Sequence, residues 1–79
     1  MTERRSVPRQ RVYKRGTVAF NSAGFECTVR NLSASGARID LEGPVGLPEH
    51  FMLVIESDKV MHRCRPVWSS AQRVGVAFE

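Results

Sequence analysis

Residues 31–36, which read NLSASG, form a polar stretch between two runs of alternating residues. Before it, residues 25–30 (FECTVR) place an apolar side chain at every second position, and after it residues 37–42 (ARIDLE) do the same. Strict alternation of apolar and polar residues is typical of half-buried β-strands. Asn31 and Ser33 are residues that close turns onto the backbone, and Gly36 tolerates a positive φ. The stretch therefore predicts two strands joined by a turn that leaves backbone N–H groups and polar side chains exposed.

Outward from this turn, strand-like runs recur along the whole chain at intervals of roughly ten residues, separated by turn-forming residues. The predicted strands span residues 12–20, with a bulge near Gly16, and residues 25–30, 37–41, 51–55, 60–68 and 73–78. No segment shows the period of a helix. Six short strands in 79 residues predict an all-β fold, a small six-stranded antiparallel β-barrel, because closure of the sheet leaves no exposed edge strand.

Three segments carry further expectations about packing. Residues 51–55 (FMLVI) are almost continuously apolar, which is typical of a strand buried on both faces. Residues 43–50 contain two prolines and two glycines, which exclude a regular helix or a central strand. We expect Val45 and Leu47 in this segment to cover one end of the core. Trp68 is expected in the core, although a tryptophan near a strand end also offers a stacking face.

Positive charge is concentrated at the N-terminus. Residues 1–15 carry six basic residues and one acidic residue, a balance of +5, whereas the remainder carries −1 of the total net charge of +4. Arginine outnumbers lysine ten to two, and the planar guanidinium group suits bidentate recognition of phosphate or guanine. Residues 1–11 show no repeating apolar face, so we predict a flexible basic arm over 1–11 and a barrel domain over 12–79. Such an arm indicates an anionic partner.

The sequence gives little support to a catalytic or metal-binding function. His50 and His62 have no serine or cysteine nucleophile evidently paired with them, and together with Cys27 and Cys64 they lack the spacing of a zinc site. Both cysteines lie in strand-like runs and are expected to be buried free thiols. We therefore predict neither an enzyme nor a metal site. No apolar run approaches the ~18 residues of a membrane span and no secretory signal is evident, which predicts a cytoplasmic protein.

Two short motifs resemble the signatures of the PilZ domain family, the bacterial receptor module for cyclic di-GMP. The family carries R-x-x-x-R in an N-terminal arm and [D/N]-x-S-x-x-G on the barrel, and here residues 5–9 read RSVPR and residues 31–36 read NLSASG. Arg4 precedes the first motif, and Asn31 stands where aspartate is more frequent. Residues 67–68 and 73–78 also resemble the last strands of the family, so the similarity runs over nearly the whole chain.

The resemblance implies a cyclic di-GMP molecule held between the arm and the barrel. It implies that Arg4, Arg5 and Arg9 contact phosphates and guanines. The implied barrel contacts are Asn31 and Ser33, which would hydrogen-bond to base and phosphate, and Gly36, which would permit the turn and a close approach. Arg38, just beyond the turn, is expected to point outward beside this site.

The function that this resemblance implies is that of a stand-alone receptor without catalytic activity or cofactor. Its ligand would order the arginine arm and so signal to a downstream protein partner. Because the sequence ends at Glu79 directly after the last predicted strand, we expect no C-terminal helix of the kind that many such domains carry.

Two alternatives stay open. The first is a small basic β-barrel that binds nucleic acid, and the second is a PilZ module that binds no nucleotide and serves only in protein interaction. Nucleic-acid barrels interleave aromatic and basic residues on an exposed face, whereas most of the six aromatic residues here are at positions that read as core. This pattern disfavours a specific nucleic-acid partner.

Overall fold

The strands close into a barrel in the computed structural model, which describes residues 10–79. The elements are β1 (Gln10–Phe20), β2 (Ala23–Leu32), β3 (Gly36–Leu41), β4 (Phe51–Ile55), a short 3-10 helix (Glu56–Asp58), β5 (Val60–Ser70) and β6 (Arg73–Phe78). Neighbouring strands run in the order β1-β2-β3-β6-β5-β4, all pairs are antiparallel, and β1 also pairs with β4. The predicted six-stranded antiparallel barrel is confirmed.

The hairpin between β1 and β2 turns on Asn21 and Ser22, whose φ angles are 53° and 62°. Two consecutive residues with positive φ are characteristic of the type I′ turn, whose twist matches that of the flanking strands. Since Ala23 already pairs with Phe20, the turn is shorter than the gap of residues 21–24 between the two predicted strands. Gln10 begins β1, two residues ahead of the predicted start at residue 12.

The interruption or bulge predicted in this strand is present, but the register of β1 against β2 shifts between Arg11 and Lys14, ahead of Gly16. Gly16 faces the barrel interior, where an added Cβ would lie 3.2 Å from the Cys27 sulfur and 3.1 Å from the Val54 carbonyl oxygen. The glycine is therefore needed for tight packing at this point rather than for an irregular backbone.

The interior is filled by inward-facing residues from all six strands. Among the residues described, the buried core is entirely apolar and comprises Val18, Cys27, Val29, Ala37, Ile39, Leu41, Phe51, Leu53, Ile55, Cys64, Val74 and Val76. Burying such side chains is the main favourable contribution to folding in a domain of this size. Val45 and Leu47, from the irregular segment between β3 and β4, pack against this core, which confirms the predicted contact of this segment with the core.

The predicted two-sided burial of β4 is wrong. Phe51, Leu53 and Ile55 are buried, but Met52 and Val54 alternate with them and are only half-buried on the outer wall of the barrel. A closed barrel of strands has one packed face, so the second apolar face of β4 lies outside the core.

Trp68 is also not a core residue, since 46% of its surface is exposed. The register of β5 against β6 shifts between Pro66 and Trp68, and Val67 is the extra residue. A bulge of one residue moves the following side chain to the other face of the sheet. Trp68 therefore lies on the outer wall, opposite Gly75.

Ion pairs connect the barrel to its turns. Lys14 donates to both carboxylate oxygens of Asp58 at 2.8 Å, and this hydrogen bond holds the pKa of Asp58 below its usual value. At Glu79, one carboxylate oxygen lies 2.7 Å from His50 Nδ1 and the other 3.0 Å from Arg63 Nε. Residues 10–79 include no helix with the length and apolar character that crossing a membrane requires.

Gly36 does not have the positive φ that the turn suggested, because no glycine among the described residues lies in that region. The constraint is steric: a Cβ at Gly36 would overlap the backbone oxygen of Val76 on the neighbouring strand. Gly36 therefore allows β3 and β6 to approach closely where the polar turn meets the barrel.

We expect Gly36→Ala to lower the free energy of unfolding by about 1–3 kcal/mol, because the methyl group must push two paired strands apart. Urea unfolding of the ligand-free protein measures this change. Gly46→Ala is the matched control, since nothing lies within 4 Å of a Cβ at that position. Equal unfolding midpoints for the two variants would show that the strand contact imposes no constraint.

The two buried thiols predict a loss of stability at high pH. Burial raises the pKa of Cys27 from 9.0 to about 12, and that of Cys64 from 9.0 to about 11. The unfolded chain therefore releases these protons first, so stability is fully present below pH 9 and falls as pH rises through the folded-state values. Urea midpoints between pH 8 and pH 11 should fall less steeply for Cys27→Ala/Cys64→Ala than for the unsubstituted chain. Identical slopes would contradict the assignment.

Candidate functional site

The polar turn between β2 and β3 is held by hydrogen bonds of Ser33. Its N–H and its hydroxyl both donate to the Gly36 carbonyl oxygen, at 2.9 Å and 3.2 Å. Its hydroxyl oxygen accepts the N–H of Ser35 at 3.3 Å. The carbonyl of Ser35 in turn accepts the N–H of Phe78 at 2.9 Å, which fixes the turn against the end of β6. The NLSASG stretch is thus attached to the barrel by hydrogen bonds within the turn and to β6.

One row of outward-facing residues crosses five strands beside this turn. Arg11 on β1 pairs with Asn31 on β2, Asn31 pairs with Arg38 on β3, Arg38 pairs with Gly75 on β6, and Gly75 pairs with Trp68 on β5. The indole covers Gly75 closely, because a Cβ there would overlap its ring atoms. The row therefore places an amide, two guanidinium groups and an aromatic face on one side of the barrel.

A cleft of about 510 Å³ lies along this row. Clefts of this size commonly hold small organic ligands. Its lining residues are Asn31, Leu32, Ser33, Ser35, Gly36, Ala37, Arg38, Val67, Trp68, Ser70, Arg73, Gly75, Val76 and Ala77. It brings together the turn, the outer walls of β3 and β6, and the bulged part of β5.

The cleft collects the barrel residues that the motif singled out. Asn31, Ser33 and Gly36 all line it, and Arg38 lies beside them, facing outward as expected. Arg4, Arg5 and Arg9 lie outside the described residues. Their assignment to the site, and the division of the chain at residue 11, stay predictions.

Pairing of the strands also brings together, on the outer wall, arginines that are far apart in the sequence. Arg30 pairs with Asp40 at 3.2 Å and lies over the Tyr13 ring, 5.5 Å from its centroid. Arg38 and Arg73, in contrast, have no carboxylate partner among residues 10–79, and the Nε of Arg38 is buried there without a hydrogen-bond partner. The barrel has almost no net charge as a whole, yet this wall is basic.

Trp68 and Arg73 are the cleft residues that sequence reasoning missed as site residues. Trp68 was expected in the core, and only the bulge after Pro66 turns its side chain outward. Arg73 comes near the turn because β6 pairs with β3, a neighbour that is not adjacent in the chain. The tryptophan near a strand end was the one available signal, since such a residue also offers a stacking face.

The cysteines and histidines that were considered as metal ligands or catalytic residues do not line the cleft. Cys27 and Cys64 are buried free thiols in the core, as predicted. His62 stacks on Phe78 with ring centroids 3.9 Å apart, and His50 pairs with Glu79. The described part of the chain holds no group of three or more histidine, cysteine or acidic side chains placed to hold a metal ion.

The structure is thus a small antiparallel barrel whose outer wall carries a basic cleft lined in part by an indole. The sequence profile of the PilZ domain family matches residues 3–79, nearly the whole chain. The chain therefore belongs to the PilZ domain family. Membership of this family indicates, in general terms, a module of the cyclic di-GMP-binding type. No curated protein matches the chain.

The position of the Trp68 indole against Gly75 can be tested by fluorescence. We expect Gly75→Ala to displace the indole, because the added methyl group meets side-chain atoms of Trp68 rather than backbone. Trp68 is the only tryptophan in the sequence, so its fluorescence reports on this residue alone. The emission should move to longer wavelength as the indole enters water, with no such change in Gly46→Ala. Unchanged emission in both variants would contradict the contact.

Proposed function

We propose that this protein is a non-enzymatic receptor for cyclic di-GMP, bound in the cleft beside the NLSASG turn. The observation that carries the proposal is the outward row that joins Arg11, Asn31, Arg38 and Trp68 across neighbouring strands. Membership of the PilZ family supports the class of ligand. The proposal places the protein in the bacterial cytoplasm, where this second messenger would reach it.

Each chemical part of a cyclic dinucleotide has a counterpart in the cleft. Guanidinium groups of Arg38 and Arg73 suit phosphate oxygens and the O6 and N7 acceptors of guanine. The half-exposed indole of Trp68 offers a stacking surface, and stacking of a base on an aromatic side chain is worth about 1–3 kcal/mol. The amide of Asn31 and the hydroxyl of Ser33 can complete hydrogen bonds to a base edge or a phosphate.

The register of β1 connects the N-terminal arginines to this cleft. Gln10, the first residue of β1, pairs with Leu32, which lines the cleft. Arg9 is bonded directly to Gln10, and Arg5 is five residues from it, which limits its Cα to at most about 18 Å away. This covalent connection of the R-x-x-x-R motif to a strand that pairs with a cleft residue supports the proposed role of its two arginines.

In this mechanism the ligand orders the arginine arm against the barrel. Fixing the backbone costs about 1–2 kcal/mol per residue, so the ligand must supply several charge-assisted contacts. Arg4, Arg5 and Arg9 provide them from the arm, and Asn31 and the cleft wall provide them from the barrel. The ordered arm would then present a new surface to a downstream partner protein.

The decisive experiment is a calorimetric titration of the full chain with cyclic di-GMP at physiological salt, with GTP as the control. We expect saturable binding of cyclic di-GMP and none of GTP. Arg5→Ala and Arg9→Ala should each weaken binding by about 1–3 kcal/mol if each removes a bidentate contact. The matched control is Arg15→Ala, whose side chain is exposed and pairs only loosely with Glu26 at 3.7 Å. Absence of heat together with an unchanged thermal midpoint would refute the proposal.

One observation favours a second candidate, a barrel that binds nucleic acid. Tyr13 and Trp68 are exposed, and both lie among arginines on the outer wall, which is the interleaved pattern that the sequence did not indicate. A single-stranded oligonucleotide therefore forms a third arm of the titration. Oligonucleotide binding that falls steeply with added salt, without cyclic di-GMP binding, would favour this candidate.

A further inference from the structure

Two arginines of the barrel wall lie close enough to act together. Arg38 on β3 pairs with Gly75 on β6, and Asp40 on β3 pairs with Arg73 on β6. Arg38 and Arg73 are therefore diagonal neighbours on the outer face of adjacent strands, and both line the cleft. Diagonal neighbours in an antiparallel pair are about 7–8 Å apart, within reach of long side chains that meet over the same point.

Neither arginine forms a salt bridge within residues 10–79. Asp40 lies directly across the strands from Arg73, but its Oδ2 pairs with Arg30 at 3.2 Å and its Oδ1 is buried without a hydrogen-bond partner. The Nε of Arg38 is inaccessible and has no hydrogen-bond partner within residues 10–79. A buried donor without an acceptor is costly, so turning Arg38 toward an acceptor in the cleft sacrifices no hydrogen bond of that atom.

We propose that Arg38 and Arg73 form a phosphate-binding pair in the barrel wall, separate from the arginines of the N-terminal motif. This inference rests on the proposed function, in which the pair would hold the phosphodiester of a cyclic dinucleotide. Planar guanidinium groups donate pairs of hydrogen bonds to phosphate oxygens, a geometry that lysine does not reproduce.

The neighbouring indole indicates a nucleotide rather than a bare phosphate. Trp68 lies over Gly75, which is next to Arg38 across the strands and two residues from Arg73. A nucleotide carries a flat base and a phosphate within one unit. A stacking face and a pair of guanidinium groups on one wall match these two parts.

The test compares Arg38→Gln and Arg73→Gln with Arg15→Gln by calorimetric titration of the full chain with cyclic di-GMP. Each substitution removes one positive charge, but Arg15 does not line the cleft. We expect the Kd to rise about tenfold or more for each cleft variant, as the loss of a charge-assisted hydrogen bond implies, and to stay unchanged for Arg15→Gln. Arg38→Lys should recover only part of the affinity.

A second measurement reads the guanidinium groups directly. In the unsubstituted protein, the Nε–Hε NMR signals of Arg38 and Arg73 should shift when inorganic pyrophosphate is added, whereas the signal of Arg15 should not. Thermal midpoints of the variants show whether they fold. If Arg38→Gln does not fold, Arg73→Gln and the NMR titration decide the question.

The outcomes separate this inference from the proposed function. If the unsubstituted chain binds cyclic di-GMP and the cleft variants bind as tightly as Arg15→Gln does, the arginine pair is wrong and the receptor stands. If the chain binds no cyclic di-GMP but pyrophosphate moves the signals of Arg38 and Arg73, the receptor is wrong and the phosphate site stands. Shifts in none of the signals, or equal shifts at Arg15, would overturn the phosphate site.

Discussion

The narrow interior of the barrel determines which residues are available for binding. The space that the six strands enclose is occupied by fully buried side chains, of which Ile39, Leu53 and Ile55 are the largest, and small barrels of this kind are packed with side chains rather than open to a ligand. A binding site must therefore use the outward residues. Because side chains alternate strictly along each strand, packing of the core also fixes the outer row that runs from Arg11 to Trp68.

Two glycines adapt the outer wall to this role, each by a different contact. Gly36 brings β3 against the backbone of Val76, so the polar turn sits firmly on the barrel. Gly75 leaves space for the indole of Trp68, whose ring atoms occupy the position that a Cβ would take there. The first contact is between backbones and bears on stability, whereas the second is with a side chain and bears on the shape of the cleft.

The sequence predicted the parts of the structure that depend on local pattern. Alternation indicated the six strands, and the NLSASG stretch marked the turn that lines the cleft. It misplaced Trp68, because a single bulged residue reverses the alternation and nothing local marks where that residue lies. The basic wall was equally hidden: Arg38 and Arg73 are 35 positions apart in sequence and meet only through the pairing of β3 with β6.

The proposed site combines arginines of the barrel wall with arginines of the N-terminal segment. A single exposed ionic contact is worth little in water because both partners are well solvated there. In the proposed receptor, the segment before Gln10 is covalently attached beside the cleft residue Leu32, and such attachment would raise its effective concentration at a ligand on the wall. Under the proposal, contacts from the wall and from the segment to one ligand would therefore reinforce each other. In the proposed receptor, the N-terminal segment would therefore become ordered when the ligand binds to the barrel wall. A surface made of the segment and the wall together would form only while the ligand is bound.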